Sequence, residues 1–308
     1  MTAADAMLSL FSLTLFLFGL SAGAVLLLLI RAVTWRGWMG PVWPGLAWLA
    51  RLAPLTGLLF AGSYVLAWPA YPWAEDPALG GYLSPLWTGV RLAVTVAVIA
   101  LAGPLLAADR LERPGGVPLL IAVVLLVSMA SVDWTLSLAP HMKSSTFGLL
   151  MLTGWAVQAL ALVTAAGALA WDRSSRAVWG AVLLVGVALW VYLEFMQYIV
   201  MWGANLPAQA EWWISRTTAP WRPFLWVVGL LHFLVPVLCL AHPGVRAKPV
   251  ALLIASLSIL AARAVETVLW TLPSVSADVF LAAAAVLAAV ALCLVLVGGL
   301  KRREARHG

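Results

Sequence analysis

Six ionisable side chains, Arg91, Asp133, Glu194, His232, Arg263 and Glu266, stand inside stretches that are otherwise apolar, and His141 stands just beyond one of them. A charge kept among apolar residues is costly, and it marks a proton path, a ligand site or an ion pair between helices. Carboxylates and imidazoles suit proton acceptance once their surroundings have moved their pKa values toward neutrality. Each group also has a plainer reading. Arg263 and Glu266, three apart on one helical face, neutralise one another. Arg91 lies near the end of its run and can snorkel to the interface, and Asp133 can anchor the loop that follows it. His232 can serve as a neutral hydrogen-bond donor between helices. Glu194 and His232 have no visible partner in their own segments.

The elements that must position these groups are membrane helices. Residues 7–30 run for 24 positions without one charged side chain, and similar runs recur near 48–68, 86–108, 117–139, 147–171, 177–203, 222–241, 249–272 and 278–300. About 20 apolar residues span a bilayer core, and solid apolar runs without strand-like alternation exclude a barrel. A chain of 308 residues, 64% hydrophobic and 10% charged, is therefore expected to be an all-α polytopic membrane protein, one integral domain of nine spans. Counted from the outer end of each span, the six ionisable groups fall roughly 8–15 Å deep at about 1.5 Å per residue. The inner halves, for example 97–108, 117–128, 178–189 and 249–260, contain none.

Basic residues set the orientation. With the N-terminus outside, 13 of the 18 Lys and Arg fall in inner segments and Lys143, Arg216 and Arg222 in outer ones. That asymmetry places the N-terminus in the periplasm of a bacterial inner membrane and the basic tail 301–308 in the cytoplasm. The net charge of +6 then reports topology and calls for no nucleic-acid partner. The apolar core of the first run exceeds the 7–15 residues of a cleavable signal, so it is expected to remain as a span. Interfacial anchoring is the expected role of most of the 18 tryptophans, among them Trp35, Trp38, Trp43 and Trp48 on one side and Trp68, Trp73, Trp87, Trp212, Trp213 and Trp221 on the other.

Other chemistries are disfavoured. Cys239 and Cys293 sit singly in different spans, without the paired spacing of cluster or zinc ligands. No phosphate-binding loop or dinucleotide fingerprint occurs. Haem held between two histidines needs ligands at one depth, and His141, His232, His242 and His307 fall at different depths.

The segment SVDWTLSLAPHMKSSTFG, from Ser131 to Gly148, resembles the ActF subunits of bacterial alternative complex III, relatives of the NrfD and PsrC membrane subunits. Their pattern D-W-x-x-S-L-x-P-H-W-x-S-T-x-F-G is matched by Asp133, Trp134, Ser137, Leu138, Pro140, His141, Ser144, Phe147 and Gly148, with Met142 in place of Trp and Ser145 in place of Thr. Tyr71 to Ala74, Tyr82 to Pro85 with Arg91, Gln197 and Tyr198 with Trp202 and Asn205 to Pro207, His232 to Pro236, and Arg263, Glu266 and Trp270 resemble further family segments in the same order. Departures are Glu194 where a small or apolar residue is expected, Ala208 and Gln209 in place of an acidic pair, and Glu266 for Asp. Family members usually have ten helices, and the first is expected to have no counterpart here.

The resemblance implies two four-helix bundles, spans 1–4 (about 7–139) and 5–8 (about 147–272), with span 9 (278–300) peripheral. It implies a membrane subunit of a quinol-oxidising respiratory complex, itself carrying neither haem nor cluster. Its partners would be an NrfD-like quinol-oxidising subunit, an iron–sulfur subunit, multihaem cytochromes c and a terminal oxidase. Asp133, His141 and Glu266 are then the first candidates for quinone and proton handling, followed by Glu194, His232 and Arg263. Trp134, Ser137, Pro140, Ser144, Phe147, Gln197, Asn205 and Pro207 are structural motif positions. A proton or ion channel, a secondary carrier and a non-catalytic scaffold remain alternatives; a carrier needs a path to both faces, against which the empty inner halves speak.

Overall fold

In a computed structural model the chain is described over residues 3–34, 36–74, 81–111, 113–205, 207–276 and 278–307. Trp35, Leu206 and Gly308, and the side chains of Arg36, Ala208, Arg302, Arg303, Arg306 and His307, lie outside the described set. The helices, in order, are α1 (Ala3–Val33), α2 (Trp43–Arg51), α3 (Ala53–Ala67), α4 (Pro85–Ala107), α5 (Arg113–Trp134), α6 (Phe147–Gly167), α7 (Arg173–Ala204), α8 (Pro207–Thr217), α9 (Arg222–Val228), a π turn (Gly229–Leu234), α10 (Val235–Leu240), α11 (Pro243–Arg246), α12 (Pro249–Thr271) and α13 (Val279–His307). There is no strand among the described residues, and nine helical stretches there are long and apolar enough to cross a membrane. The chain is an all-α, multi-pass membrane protein.

Local sequence explains the breaks. Proline is tolerated in the first helical turn, where its missing N–H is not needed, and Pro54, Pro85, Pro207, Pro223 and Pro249 all begin helices. The second expected span, 48–68, is thereby split: α2 ends at Arg51 and α3 restarts beside Pro54. Ser84 Oγ accepts the Trp87 N–H to cap α4, and Asp172 accepts the N–H groups of Ser174 and Ser175 to cap α7. A hydrogen bond from the Ser175 side chain, with these backbone N–H groups, holds the exposed Asp172 carboxyl below the usual carboxylate range. Asn205 closes α7 in the left-handed region, φ 46°. Residues 301–307, expected as a tail, continue α13 as helix.

Three helices form the interior. α1 packs against α2, α3, α4, α5, α6, α12 and α13, while α6 packs against α5, α7, α12 and α13. α7, α9 and α10 lean on α12 from one side, and α3, α4 and α5 surround α1 on another. Lipid is as apolar as leucine, so helices are held by close packing and interhelical hydroxyl bonds. Ser12 and Thr271 meet at 2.6 Å, Thr14 and Ser63 at 2.5 Å, Ser21 and Thr56 at 2.5 Å, and Thr164 and Ser256 at 2.8 Å. Gln158 Nε2 donates to the Phe16 carbonyl at 2.8 Å. Aromatic rings fill the rest: Phe18 stacks on Phe60 at 5.0 Å, and Trp134 meets Phe60 edge-on at 4.7 Å.

This core corrects the expected role of the tryptophans. Trp73, Trp134, Trp155, Trp171, Trp179, Trp190, Trp212, Trp221 and Trp270 are buried within the protein, including three expected at the interface. Two of their indole N–H groups have side-chain partners that lipid cannot supply. Trp73 donates to Ser137 Oγ, and Trp190 to Glu266.

α1 and α6 approach so closely that a Cβ at Gly23 would lie 1.9 Å from the Trp155 carbonyl oxygen, whereas one at Gly62 would meet open space. Gly23→Ala should therefore cost about 1–3 kcal/mol by forcing backbones apart. Thermal melts in detergent should show a lowered midpoint for Gly23→Ala and an unchanged one for Gly62→Ala; equal midpoints would contradict the packing described.

Candidate functional site

The expected single layer of ionisable groups resolves into two clusters held by different helices. In the first, Asp133 at the end of α5 is fully buried, and its carboxylate accepts Arg91 Nε at 2.6 Å and Nη2 at 2.9 Å. Arg91 therefore turns inward instead of snorkelling. Its Nη2 also donates to the Tyr82 carbonyl, and its guanidinium lies 3.8 Å from the centre of the Tyr82 ring. The carbonyls that end α5 find side-chain donors: Tyr64 and Ser137 donate to Asp133 O, and Tyr71 donates to Trp134 O. Segments around residues 71, 82 and 133 thus close into one knot of satisfied polar groups, and Asp133 lines none of the cavities described below.

The second cluster joins α7, the π turn and α12. Arg263, 0% exposed, donates from Nη1 to Glu266 Oε2 at 2.5 Å, and Trp190 Nε1 donates to Glu266 Oε1 at 2.9 Å. His232 Nδ1 stands 3.4 Å from Glu266 Oε2 without hydrogen-bond alignment, and its ring stacks on Trp190 at 3.8 Å. The guanidinium lies 4.7 Å from the Trp270 ring centre, in the space left by Gly154, where a Cβ would come within 2.5 Å of Arg263 Cζ. Pro236 cannot donate to the His232 carbonyl, four residues before it, and the helix widens into the π turn that carries His232. His232 Nε2 and Arg263 Nε and Nη2 are buried without hydrogen-bond partners.

Above this cluster lies the largest surprise. Arg216, expected in an outer loop, is 1% exposed. Its Nε donates to Leu269 O at 2.7 Å and its Nη2 to Trp270 O at 3.3 Å, satisfying carbonyls at the end of α12. Further bonds run to Trp212 O, Ser215 Oγ and Ser274 Oγ, and the guanidinium sits 3.7 Å over the Trp212 ring. The positive group at a helix C-terminus is favoured by the helix dipole as well. Arg216 thereby clamps α8 across the end of α12.

Beneath α8 the helices leave a cavity of about 300 Å³ walled by Trp190, Trp212, Trp213, Trp226 and Trp270, with Glu194, Glu266 and Arg216 among its lining. Trp226, 74% exposed, and half-buried Glu194 stand at its open side, between α7 and α9. Trp212 also lines a second hollow of about 330 Å³ on the far side of α8, where exposed His141 joins Pro140, Glu211 and Ser215. Ser144, which meets Thr146 at 3.2 Å, borders a third hollow with Lys143. Of the remaining motif positions, Phe147 packs on Trp270 at 5.2 Å, Pro207 begins α8, and Gln197 is buried with neither amide atom bonded.

The structure therefore brings together Glu194, His232, Arg263 and Glu266, keeps Asp133 apart with Arg91, and leaves His141 in the hollow beyond Trp212. Sequence reasoning missed Arg216 and the tryptophan wall. The available signal was the amphipathic run E-W-W-I-S-R in a short segment between two spans, where Trp212 and Arg216 are four apart on one face.

Removing one partner of a buried ion pair costs about 3–5 kcal/mol because the other charge is left uncompensated. Glu266→Gln should thus lower the detergent melting midpoint strongly, and Arg263→Met added to it should restore much of the loss. Glu194→Gln, at the open side of the cavity, should melt like the parent. A Glu266→Gln midpoint equal to that of Glu194→Gln would refute the pairing.

In comparisons with known proteins, no family model and no curated sequence matches this chain.

Proposed function

We propose that this chain is a membrane subunit of a quinol-oxidising electron-transfer complex, and that a quinol headgroup enters the tryptophan-walled cavity between α7, α9 and α12. The observation that carries the reading is the cavity's composition: flat aromatic walls, two carboxylates and the Arg216 guanidinium, with Arg263 paired to Glu266 behind the wall. Glu194 and Glu266 balance Arg216 and Arg263, so a neutral ligand suits the site better than a free cation or anion. Indole faces favour offset stacking with an aromatic ring. A volume of about 300 Å³ falls at the lower end of small-ligand pockets.

Oxidation of a quinol to a quinone releases two electrons and two protons. The electrons would pass to a metal centre of a partner subunit, in keeping with the resemblance of the motifs to alternative complex III. Glu194, at the mouth, would accept a hydroxyl proton, while Glu266 is tied to Arg263 and Trp190 and acts as a positioning residue for the wall. The hollow holding His141 and Glu211, one tryptophan away, offers the proton its exit. The membrane would be a bacterial inner membrane, with that exit on the periplasmic side and partners of the iron–sulfur and multihaem cytochrome kind.

Two measurements test this. A photoreactive quinone should label residues 207–230 of the purified chain, with unlabelled quinone competing, and Glu194→Gln should slow quinol oxidation by the assembled complex about a hundredfold. Wild-type turnover in Glu194→Gln together with labelling elsewhere would sink the proposal. Reporter fusions test the orientation: α8 should report from the periplasm and a C-terminal fusion from the cytoplasm, and the reverse pattern would overturn the assignment.

A further inference from the structure

At the end of the bundle opposite α8, two loops distant in sequence close into one basic patch. The first turn of α7 carries Arg173 and Arg176, and the turn around α11 carries Arg246 and Lys248. Arg176 joins them by donating from Nε to the Ala247 carbonyl at 2.8 Å and from Nη1 to the Trp171 carbonyl. Gly180 lets Arg246 lie against α7, since a Cβ there would come 3.3 Å from the Arg246 Cβ. The Arg246 Nε is buried and has no hydrogen-bond partner. Asp172 is the one carboxylate in these two turns, and its oxygens are taken by the N–H groups of Ser174 and Ser175.

Four cations against the single carboxylate of Asp172, one of them with a buried unpartnered donor, leave a positive patch that calls for an anion. The neighbouring surface says which kind. Exposed Val178, Val182 and Val185 on α7, and exposed Leu234 and Leu238 on the π turn and α10, make the outward surfaces of these two neighbouring helices apolar below the patch. A phosphate held by Arg246 and its neighbours would have its acyl chains against this apolar surface. A free phosphate would use only the basic end.

We propose that this patch is a binding site for one anionic phospholipid, its phosphate at Arg173, Arg176, Arg246 and Lys248 and its chains along the outward apolar surface of α7 and α10. Guanidinium groups bind phosphate in a planar, two-pronged manner, and basic pockets between membrane helices hold anionic headgroups. The site is remote from the tryptophan-walled cavity, and its occupancy does not depend on what that cavity binds.

The test is native mass spectrometry of the full chain released from micelles containing phosphatidylglycerol or phosphatidylcholine. One phosphatidylglycerol should be retained at concentrations where phosphatidylcholine is lost. Arg246→Gln with Lys248→Gln should weaken retention about tenfold or more. The exposed pair Arg173→Gln and Lys248→Gln, which leaves the packed Arg246 in place, should weaken it in the same direction. Arg110→Gln with Arg113→Gln, two basic residues of another turn, should leave it unchanged. Equal retention of both lipids, an equal loss in the Arg110 and Arg113 variant, or full displacement by millimolar inorganic phosphate would each overturn the proposal.

Discussion

Arg263 is the constraint around which one half of the molecule is arranged. A guanidinium closed off between helices needs a carboxylate within hydrogen-bond reach, because an isolated charge there is intolerable. Glu266 provides it at 2.5 Å, and the rest follows from holding that carboxylate still. Trp190 donates to its other oxygen, His232 stacks on Trp190, and the π turn places His232. Gly154 leaves room for the charge, and Trp270 covers it with a ring face. Four helical elements meet at one pair of charges.

The other half repeats the solution with different parts. Asp133 takes both Nε and Nη2 of Arg91, and three hydroxyls close the carbonyls at the end of α5. Both carboxylate oxygens of Asp133 and the carbonyls that end α5 are taken internally, which leaves little for a ligand. In the Arg263 cluster the Glu266 carboxylate is shared with a cavity, and four nitrogens remain unbonded. The contrast explains why two clusters with similar residues lend themselves to different roles: one closes the fold, the other borders open space.

The spans were legible in the chain because apolar runs act locally, whereas the caps at Ser84 and Asp172 and the break beside Pro54 went unread. The Arg263–Glu266 pair was legible for the same reason, being three residues apart on a helix. Arg91 and Asp133 were each visible, but their pairing spans 42 residues and depends on how α4 lies against α5. Arg216 shows the limit most clearly. Counting basic residues placed it with the solvent-facing loops, whereas α8 folds back and inserts it beneath the surface, where backbone carbonyls and not carboxylates receive it. The tryptophans misled in a similar way, since an indole beside a span boundary looks alike whether it faces lipid headgroups or another helix.

The central place of α1 has a consequence for biogenesis. It is the earliest of the nine spans to leave the ribosome, yet its burial is completed by α6, α12 and α13. Ser12 waits for Thr271, 259 residues downstream, and the Phe16 carbonyl waits for Gln158, 142 residues downstream. Until those partners are inserted, the buried hydroxyls of α1 must bond back to their own helix, as Ser12 does to Leu8 and Thr14 to Leu10. These back-bonds let the helix rest in lipid without an unsatisfied group, so α1 can be inserted early and assembled last.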